Sequence, residues 1–112
     1  MEKISIKSEM SGSVTVVTVG GRIDSETSPT LDAELTKVVG GNAKLVLDLK
    51  GVDYMSSAGI RAVVKAAQTA QKSGGALKLA CAPESVQSIL YTVGMLEKVN
   101  IYSTLEEAIA SF

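Results

Sequence analysis

Two adjacent serines, Ser56 and Ser57, precede Ala58 and Gly59 at the point where a strand-like stretch gives way to a helix-like one. A serine hydroxyl at such a point can cap a helix by accepting a hydrogen bond from an early backbone amide. The simplest structural interpretation makes Ser57 the N-cap of a helix that begins at Ala58, with Gly59 allowing close packing on a sheet. Capping needs only one hydroxyl, so the second serine needs another explanation.

The sequence contains no histidine and one cysteine, Cys81. The absence of histidine excludes Ser-His-Asp and Cys-His nucleophile systems, zinc sites that need imidazole, and phosphohistidine carriers. There is also no glycine-rich phosphate loop, so we expect no catalytic residue, no metal, no cofactor and no enzymatic activity. A lone cysteine cannot form an internal disulfide, and we expect Cys81 to be a small buried residue. Asp48, inside an apolar run, should be hydrogen-bonded or lie at a strand end, and we expect it to be structural.

Length and charge indicate one globular domain spanning residues 1–112. The chain is 46% hydrophobic and 21% charged, with a net charge of −1, which is typical of a soluble domain. It has no basic block, which argues against nucleic acid and against an anionic membrane surface as partners. The first ten residues lack the apolar core of a signal peptide, and no run approaches the roughly 20 apolar residues of a spanning helix. We therefore expect a cytoplasmic protein with no direct membrane insertion.

Apolar patterning and turn residues predict an N-terminal β-hairpin followed by the order α, β, α, β, α, β, α. The hairpin should turn at Ser11-Gly12, and the last helix should open with a capping box formed by Ser103 and Glu106. Strands are predicted at 13–21, 43–49, 76–82 and 98–102, and helices between Ser28-Pro29 and Gly40-Gly41, at 58–72, at 83–94 and after Ser103.

This alternation predicts an α/β fold with a mixed, mostly parallel β-sheet, an N-terminal hairpin and about four flanking helices. In such sheets, functional groups gather at the carboxyl ends of the strands. The turn of Ser56, Ser57, Ala58 and Gly59 should lie at that edge. Asp24 follows another apolar strand and should lie near it.

Two stretches resemble the signatures of the STAS domain, named from sulphate transporters and anti-sigma factor antagonists. The family's core signature is similar to the stretch LVLDLKGVDYMSSAGIRAVV (45–64). This stretch contains a D-L-x-x-V strand and an aromatic-hydrophobic pair, followed by a turn of small residues, a glycine and an apolar residue. GGRID (20–24) resembles the G-x-[LI]-D stretch that follows the family's second strand. The spacing and element order match over nearly the whole chain, so a single STAS domain is predicted.

The resemblance implies a stand-alone bacterial anti-sigma factor antagonist that works by partner switching. The unmodified form would bind an anti-sigma factor that is also a serine kinase and so free a sigma factor. Phosphorylation of the serine two positions before the motif glycine, here Ser57, would end binding, and a PP2C-type phosphatase would restore it. The family usually has aspartate before this serine; Ser56 stands there instead and is a competing acceptor. The partner-binding residues expected from the resemblance are Asp24, Ser56, Ser57, Ala58, Gly59 and Arg61.

Two other classes of protein share parts of this pattern. A receiver domain would need acidic residues at the end of its first strand to hold Mg²⁺, and KISIKS (3–8) ends without them. The alternative that stays open is a non-catalytic STAS subunit of an ABC-type lipid-transport system, which needs no phosphorylation and is compatible with Ser56. We expect the free protein to be a monomer or a weak dimer, since its expected partner is another chain.

Overall fold

A single mixed sheet contains five strands, in the spatial order β1 (Ile4–Ser11), β2 (Val14–Ile23), β3 (Lys44–Met55), β4 (Ala76–Ala80) and β5 (Asn100–Tyr102). The computed structural model of the chain describes residues 4–84, 86–88 and 100–112. β1 and β2 pair antiparallel, and each later neighbour pairs parallel. The predicted α/β fold, with its mixed, mostly parallel sheet and N-terminal hairpin, is confirmed.

Of the bounded helices in the described residues, two connect parallel strands and one follows the last strand, and all of them flank the sheet. The bounded helices of the described residues are α1 (Ser28–Gly41), α2 (Ser57–Lys72) and α3 (Leu105–Ala110). Residues 84 and 86–88 are also helical, whereas much of the helix predicted at 83–94 lies outside the described residues, as do residues 98 and 99 of the predicted last strand. No helix in the described part of the chain is long and apolar enough to cross a membrane.

The sheet is covered on both faces, and β3 lies at its centre. Leu45, Leu47 and Leu49 of β3 belong to the larger core, which packs against α1 and α2. Val46 points to the other face and packs with Ala108 of α3. Because successive side chains of a strand face opposite sides, a strand covered on both faces loses its alternation of polar and apolar residues. This explains why 43–49 reads as an apolar run.

Several predicted boundaries were wrong by one or more residues. β3 continues to Met55, six residues beyond the predicted end, because 50–55 stay paired with β2 across two register shifts. The hairpin loop is Gly12-Ser13 rather than Ser11-Gly12, and Gly12 has a positive φ of 63°, which suits glycine in a two-residue hairpin loop. α1 does not stop at its glycines but runs through Gly41, where Asn42 N–H donates to Val38 O at 2.9 Å.

Asp48 and Cys81 flank the end of β4. Asp48 is half-buried, and its Oδ1 accepts a hydrogen bond from Lys50 N–H at 3.1 Å, so the predicted hydrogen bonding is confirmed. Cys81 is only half-buried, and not fully buried as predicted. Its φ of 57° lies in the left-handed region, where side chains are uncommon. Burial, and then the charge of Asp48, raise the pKa of the Cys81 thiol, which disfavours the reactive thiolate.

A buried lysine holds the end of α3 to the sheet. Lys78 of β4 is 8% exposed, and its Nζ donates hydrogen bonds to Ser111 O at 3.0 Å and Ser111 Oγ at 2.7 Å. The same ammonium group lies 4.3 Å from the centroid of the Phe112 ring. Such donors satisfy carbonyls that a helix leaves unpaired at its C-terminus.

The N-cap of α3 is Thr104, one residue after the predicted Ser103. Thr104 Oγ1 accepts a hydrogen bond from Glu107 N–H at 3.2 Å, and Glu107, not Glu106, contacts the Thr104 hydroxyl, through its Oε1 at 3.1 Å. Ser103 and Thr104 both carry a hydroxyl three residues before a glutamate, so the sequence motif fits either position.

We expect Thr104→Ala to lower the free energy of unfolding by about 1 kcal/mol, because it removes the only side-chain cap of α3 seen in the described residues. Ser103→Ala is the matched control and should change it by less than about 0.5 kcal/mol. Urea unfolding of both variants measures the difference. Equal losses would contradict the assignment of the cap to Thr104.

Candidate functional site

The Ser56–Gly59 turn lies where β2 and β3 end together. Ser56 follows the last residue of β3, and its backbone N–H donates to Ile23 O, at the end of β2, at 2.8 Å. Ile60 N–H then donates to Ser56 O at 3.0 Å and continues the chain into α2. The turn is therefore at the carboxyl edge of the parallel strands, as predicted.

Ser56, not Ser57, is the N-cap of α2. Its backbone is extended, with φ −80° and ψ 172°, and its Oγ accepts a hydrogen bond from Gly59 N–H at 3.4 Å. Gly59 occupies the third helical position, whose amide a capping side chain commonly reaches. The helix begins at Ser57, one residue before the predicted start at Ala58. Two adjacent serines satisfy the capping pattern equally well, so only the backbone geometry distinguishes them.

Ser57 is exposed at the first position of α2, while Ser56 is half-buried. Within the described part of the chain, the Ser57 hydroxyl has no hydrogen-bond partner. Its backbone carbonyl accepts from Arg61 Nε at 3.4 Å, so the Arg61 side chain lies against the first turn. Ser57 thus presents a free hydroxyl to solvent on a rigid helix end, with a guanidinium group one turn away.

Gly59 allows α2 to rest directly on the ends of β2 and β3. A Cβ atom at this position would lie 2.6 Å from Ile23 Cγ2 and 2.8 Å from Met55 Cγ. Both distances are far below ordinary carbon contacts of about 3.5–4.0 Å. Ile23 is 0% and Met55 1% exposed, so neither side chain can swing into solvent. The prediction that Gly59 permits close packing of the helix on the sheet is confirmed.

Asp24 organises the loop between β2 and α1 and is joined to the turn through its neighbour Ile23. Asp24 Oδ1 accepts hydrogen bonds from the backbone N–H groups of Glu26 at 2.9 Å and Thr27 at 3.1 Å. Asp24 O accepts from Ser28 N–H, at the start of α1, at 2.8 Å. The carboxylate is therefore a loop-forming group, and its side chain remains 18% exposed.

Arg22 and Tyr54 were not predicted as part of the site, although they lie beside it. They are partners in the β2–β3 register, and the Arg22 guanidinium carbon lies 4.5 Å from the centroid of the Tyr54 ring. Arg22 Nε also pairs with Asp24 Oδ2 at 3.3 Å. Tyr54 is 38% exposed, so an aromatic ring and a stacked cation extend the accessible edge. Arg22 and Tyr54 face one another only because the β2–β3 register shifts between Gly21 and Arg22, so neither stretch of sequence alone signals the pair.

A shallow groove of about 250 Å³ runs between the N-terminal halves of α1 and α2. Ala58 and Arg61 lie on its α2 side. An ion pair between Lys65 Nζ and Asp32 Oδ2, at 3.3 Å, links the α2 and α1 sides. The groove therefore joins two predicted partner-binding residues to α1, and the hydrogen bond between Ile23 and Ser56 joins the turn to the Asp24 loop. The six predicted residues thus share one edge of the molecule.

The structure is that of a small α/β domain in which a capped helix begins at the carboxyl edge of the sheet. Comparison of the sequence with known protein families identifies the class to which this domain belongs. The sequence model of the STAS domain matches residues 5–108. The chain belongs to the STAS domain family.

Relatives and solved structures agree with this assignment. The chain is 30% identical over 90 residues to the anti-sigma-B factor antagonist of Bacillus subtilis, covering 80% of this chain and 83% of the relative. The crystal structure of an anti-sigma factor antagonist from Mycobacterium paratuberculosis superposes with a TM-score of 0.89 at 26% identity, over 96% of this chain and 92% of that one. The Bacillus cell fate determinant SpoIIAA in its phosphorylated form has the same fold, with a TM-score of 0.74 at 17% identity over 96% and 98% of the two chains.

Gly59→Ala should lower the free energy of unfolding by about 1–3 kcal/mol, because the added methyl group overpacks Ile23 and Met55. Gly59→Leu should weaken folding or partner binding, because its larger side chain needs still more room between the helix and the sheet. Gly40→Ala is the control: it lies in α1, where a Cβ meets nothing within 4 Å, so the better helix propensity of alanine should leave stability equal or higher. Thermal unfolding distinguishes the two sites, and a harmless Gly59→Ala would contradict the packing argument.

The two serines should differ in their effect on stability. Ser56→Ala removes the cap of α2 and should lower the free energy of unfolding by about 0.5–1 kcal/mol, at the weaker end for caps because the bond is long. Ser57→Ala removes an exposed hydroxyl and should change it by less than about 0.5 kcal/mol. Chemical denaturation of both variants provides the comparison, and the reverse order would return the cap to Ser57.

Proposed function

We propose that this protein is an anti-sigma factor antagonist that works by partner switching, with Ser57 as its phosphoacceptor. The unphosphorylated form binds an anti-sigma factor that is also a serine kinase, and a sigma factor is released. Phosphorylation ends the binding, and a PP2C-type phosphatase restores it. The protein acts by binding, in the cytoplasm with its partners, and has no catalytic residue or cofactor of its own. The observation that carries the proposal is the exposed Ser57 hydroxyl at the start of α2.

Ser57 is a better acceptor than Ser56 because the two hydroxyls are in different environments. The Ser56 hydroxyl caps α2 and is half-buried, so a kinase could reach it only by breaking the cap. The Ser57 hydroxyl is exposed and makes no hydrogen bond within the described residues. A docked kinase can therefore approach Ser57 without disturbing the fold. This difference supports Ser57 as the phosphoacceptor, even though no aspartate precedes it.

A phosphate on Ser57 is expected to change the surface and leave the fold intact. It adds about −1.5 to −2 charges at neutral pH. Negative charge near a helix N-terminus is favoured by the helix dipole and by free backbone amides. Arg61, whose side chain already lies against Ser57, supplies a positive charge one turn away. The phosphorylated SpoIIAA structure supports the view that this fold accommodates phosphate.

The effect on binding follows from what surrounds Ser57. Ala58 has only a methyl group, and Gly59 lies buried beneath it, so the unmodified turn lets a partner surface approach closely. A phosphate dianion at this point would lose part of its hydration when a partner docks, and this desolvation costs binding free energy. Carboxylates on the partner surface would also repel the phosphate. The groove beside α1 and the Asp24 loop widen the contact on either side of the turn.

Incubation with the cognate anti-sigma factor kinase and Mg-ATP should add one phosphate, on Ser57. Ser57→Ala should abolish labelling and keep partner binding, since only an exposed hydroxyl is lost. Ser57→Asp should weaken partner binding by about tenfold, or about 1.4 kcal/mol, because it places one negative charge at the contact. Peptide mapping by mass spectrometry and titration calorimetry measure these outcomes. Ser56→Ala is the control and should still be labelled on Ser57.

Phosphate on Ser56 alone would contradict the residue assignment while leaving partner switching in place. No phosphate with any serine kinase encoded in the same genome, together with binding to an ATPase of a lipid-transport system, would favour the non-catalytic transporter subunit instead. Neighbouring genes give the same distinction: a serine kinase and a PP2C-type phosphatase in one case, a permease and an ATPase in the other.

A further inference from the structure

β1 is an edge strand, and no described strand pairs with its outer side. It lies at one end of the sheet order and pairs only with β2 among the described strands. From Lys7 to Ser11 its residues are exposed, and Met10 is 61% exposed, the most exposed large apolar side chain of the described residues. An exposed edge strand offers backbone donors and acceptors to another strand.

The hairpin register determines which backbone groups of β1 face outward. Ser11 and Val14 pair across the two-residue loop, and residues that close such a loop exchange hydrogen bonds with each other. Bonded pairs alternate with non-bonded ones along an antiparallel ladder, so Glu9 and Lys7 also bond to β2. The backbone N–H and C=O groups of Ile6, Ser8 and Met10 therefore point away from β2, toward the free edge.

We infer that β1 is a self-association edge, and that a second copy of this chain pairs with it antiparallel about a two-fold axis between the two Ser8 residues. In this register the two Ser8 residues exchange backbone hydrogen bonds. Ile6 of each copy lies opposite Met10 of the other and bonds to it in the same way. The outward groups of all three positions are thus paired, and the two sheets become one continuous sheet.

Charge and apolar contacts both fit this register. Lys7 lies directly opposite Glu9 of the second copy, and Glu9 opposite its Lys7, so both charged residues of the exposed stretch gain partners of opposite sign. On the other face, exposed Met10 meets half-buried Ile6. A two-fold axis at Lys7 would oppose two lysines, and one at Glu9 would oppose two glutamates. Opposite charges therefore select the register centred on Ser8.

The association is separate from the proposed switch. Its axis passes through the middle of β1, whereas Ser57 lies at the carboxyl end of β3, two strands away. Only one strand from each copy takes part, so the contact is small, and a weak, concentration-dependent dimer is expected. Phosphorylation of Ser57 should leave the dimer dissociation constant unchanged. A failure of the proposed switch and a failure of the dimer are therefore distinguishable.

The test is a charge reversal and its rescue, measured by sedimentation equilibrium of the full chain up to about 1 mM, within the range of weak affinities. Lys7→Glu and Glu9→Lys each oppose like charges and should raise the dimer dissociation constant at least tenfold. The double variant Lys7→Glu/Glu9→Lys restores opposite pairs and should return the constant to within about threefold of the original. Ser8→Pro should abolish the dimer, because it removes an outward N–H that β2 does not use.

Circular dichroism melts of the four variants serve as the folding control, and each should stay close to the original because the changes lie on an exposed edge. A chain that stays monomeric over the whole concentration range would overturn the inference. So would a dimer that the single charge reversals leave unchanged, or a double variant as weak as the single ones.

Discussion

A hydrogen atom in place of a side chain at residue 59 sets the distance between α2 and the sheet. Because Gly59 has no Cβ, the first turn of α2 rests on Ile23 and Met55, the last residues of β2 and β3. That contact brings Ser56 within hydrogen-bonding reach of both Ile23 O and Gly59 N–H. With Ser56 turned inward, the next residue is turned outward. The exposure of Ser57 is thus a consequence of close packing two residues further along the chain.

The two serines differ in role because Ser56 caps α2 and Ser57 is exposed at the first position of the helix. Ser56 stabilises the helix start, as an aspartate also could, since both are good N-cap residues. A serine at this point caps the helix without placing a negative charge beside Ser57. The architecture of the turn therefore does not require a carboxylate at residue 56.

Sequence patterns predicted the element order because burial shapes them: a short apolar run such as 45–47, bounded by turn residues, is typical of a strand covered on both faces. The exact ends of the helices and strands were harder to predict. Ser56 and Ser57, like Ser103 and Thr104, satisfy the same local capping rule, and only tertiary contacts decide between them. The end of β3 was missed because Gly51 and the polar residues around it resemble a turn, yet backbone pairing with β2 holds them in the strand. The stacking of Arg22 on Tyr54 needed the strand register, which no single stretch of sequence contains.

The two faces of the sheet differ in how firmly they are closed. α1 and α2 share a large apolar core with the sheet, whereas α3 has six residues and buries only Ala108 fully. Much of what holds α3 is polar: the Lys78 ammonium bound to Ser111 and lying over the Phe112 ring. A short element attached in this way forms its own cooperative unit, which can detach and reattach while the rest of the molecule remains native. Amide protons of α3 should therefore exchange with solvent through such partial openings. Their exchange should be much faster than that of the amide protons of β3, which requires unfolding of the whole domain.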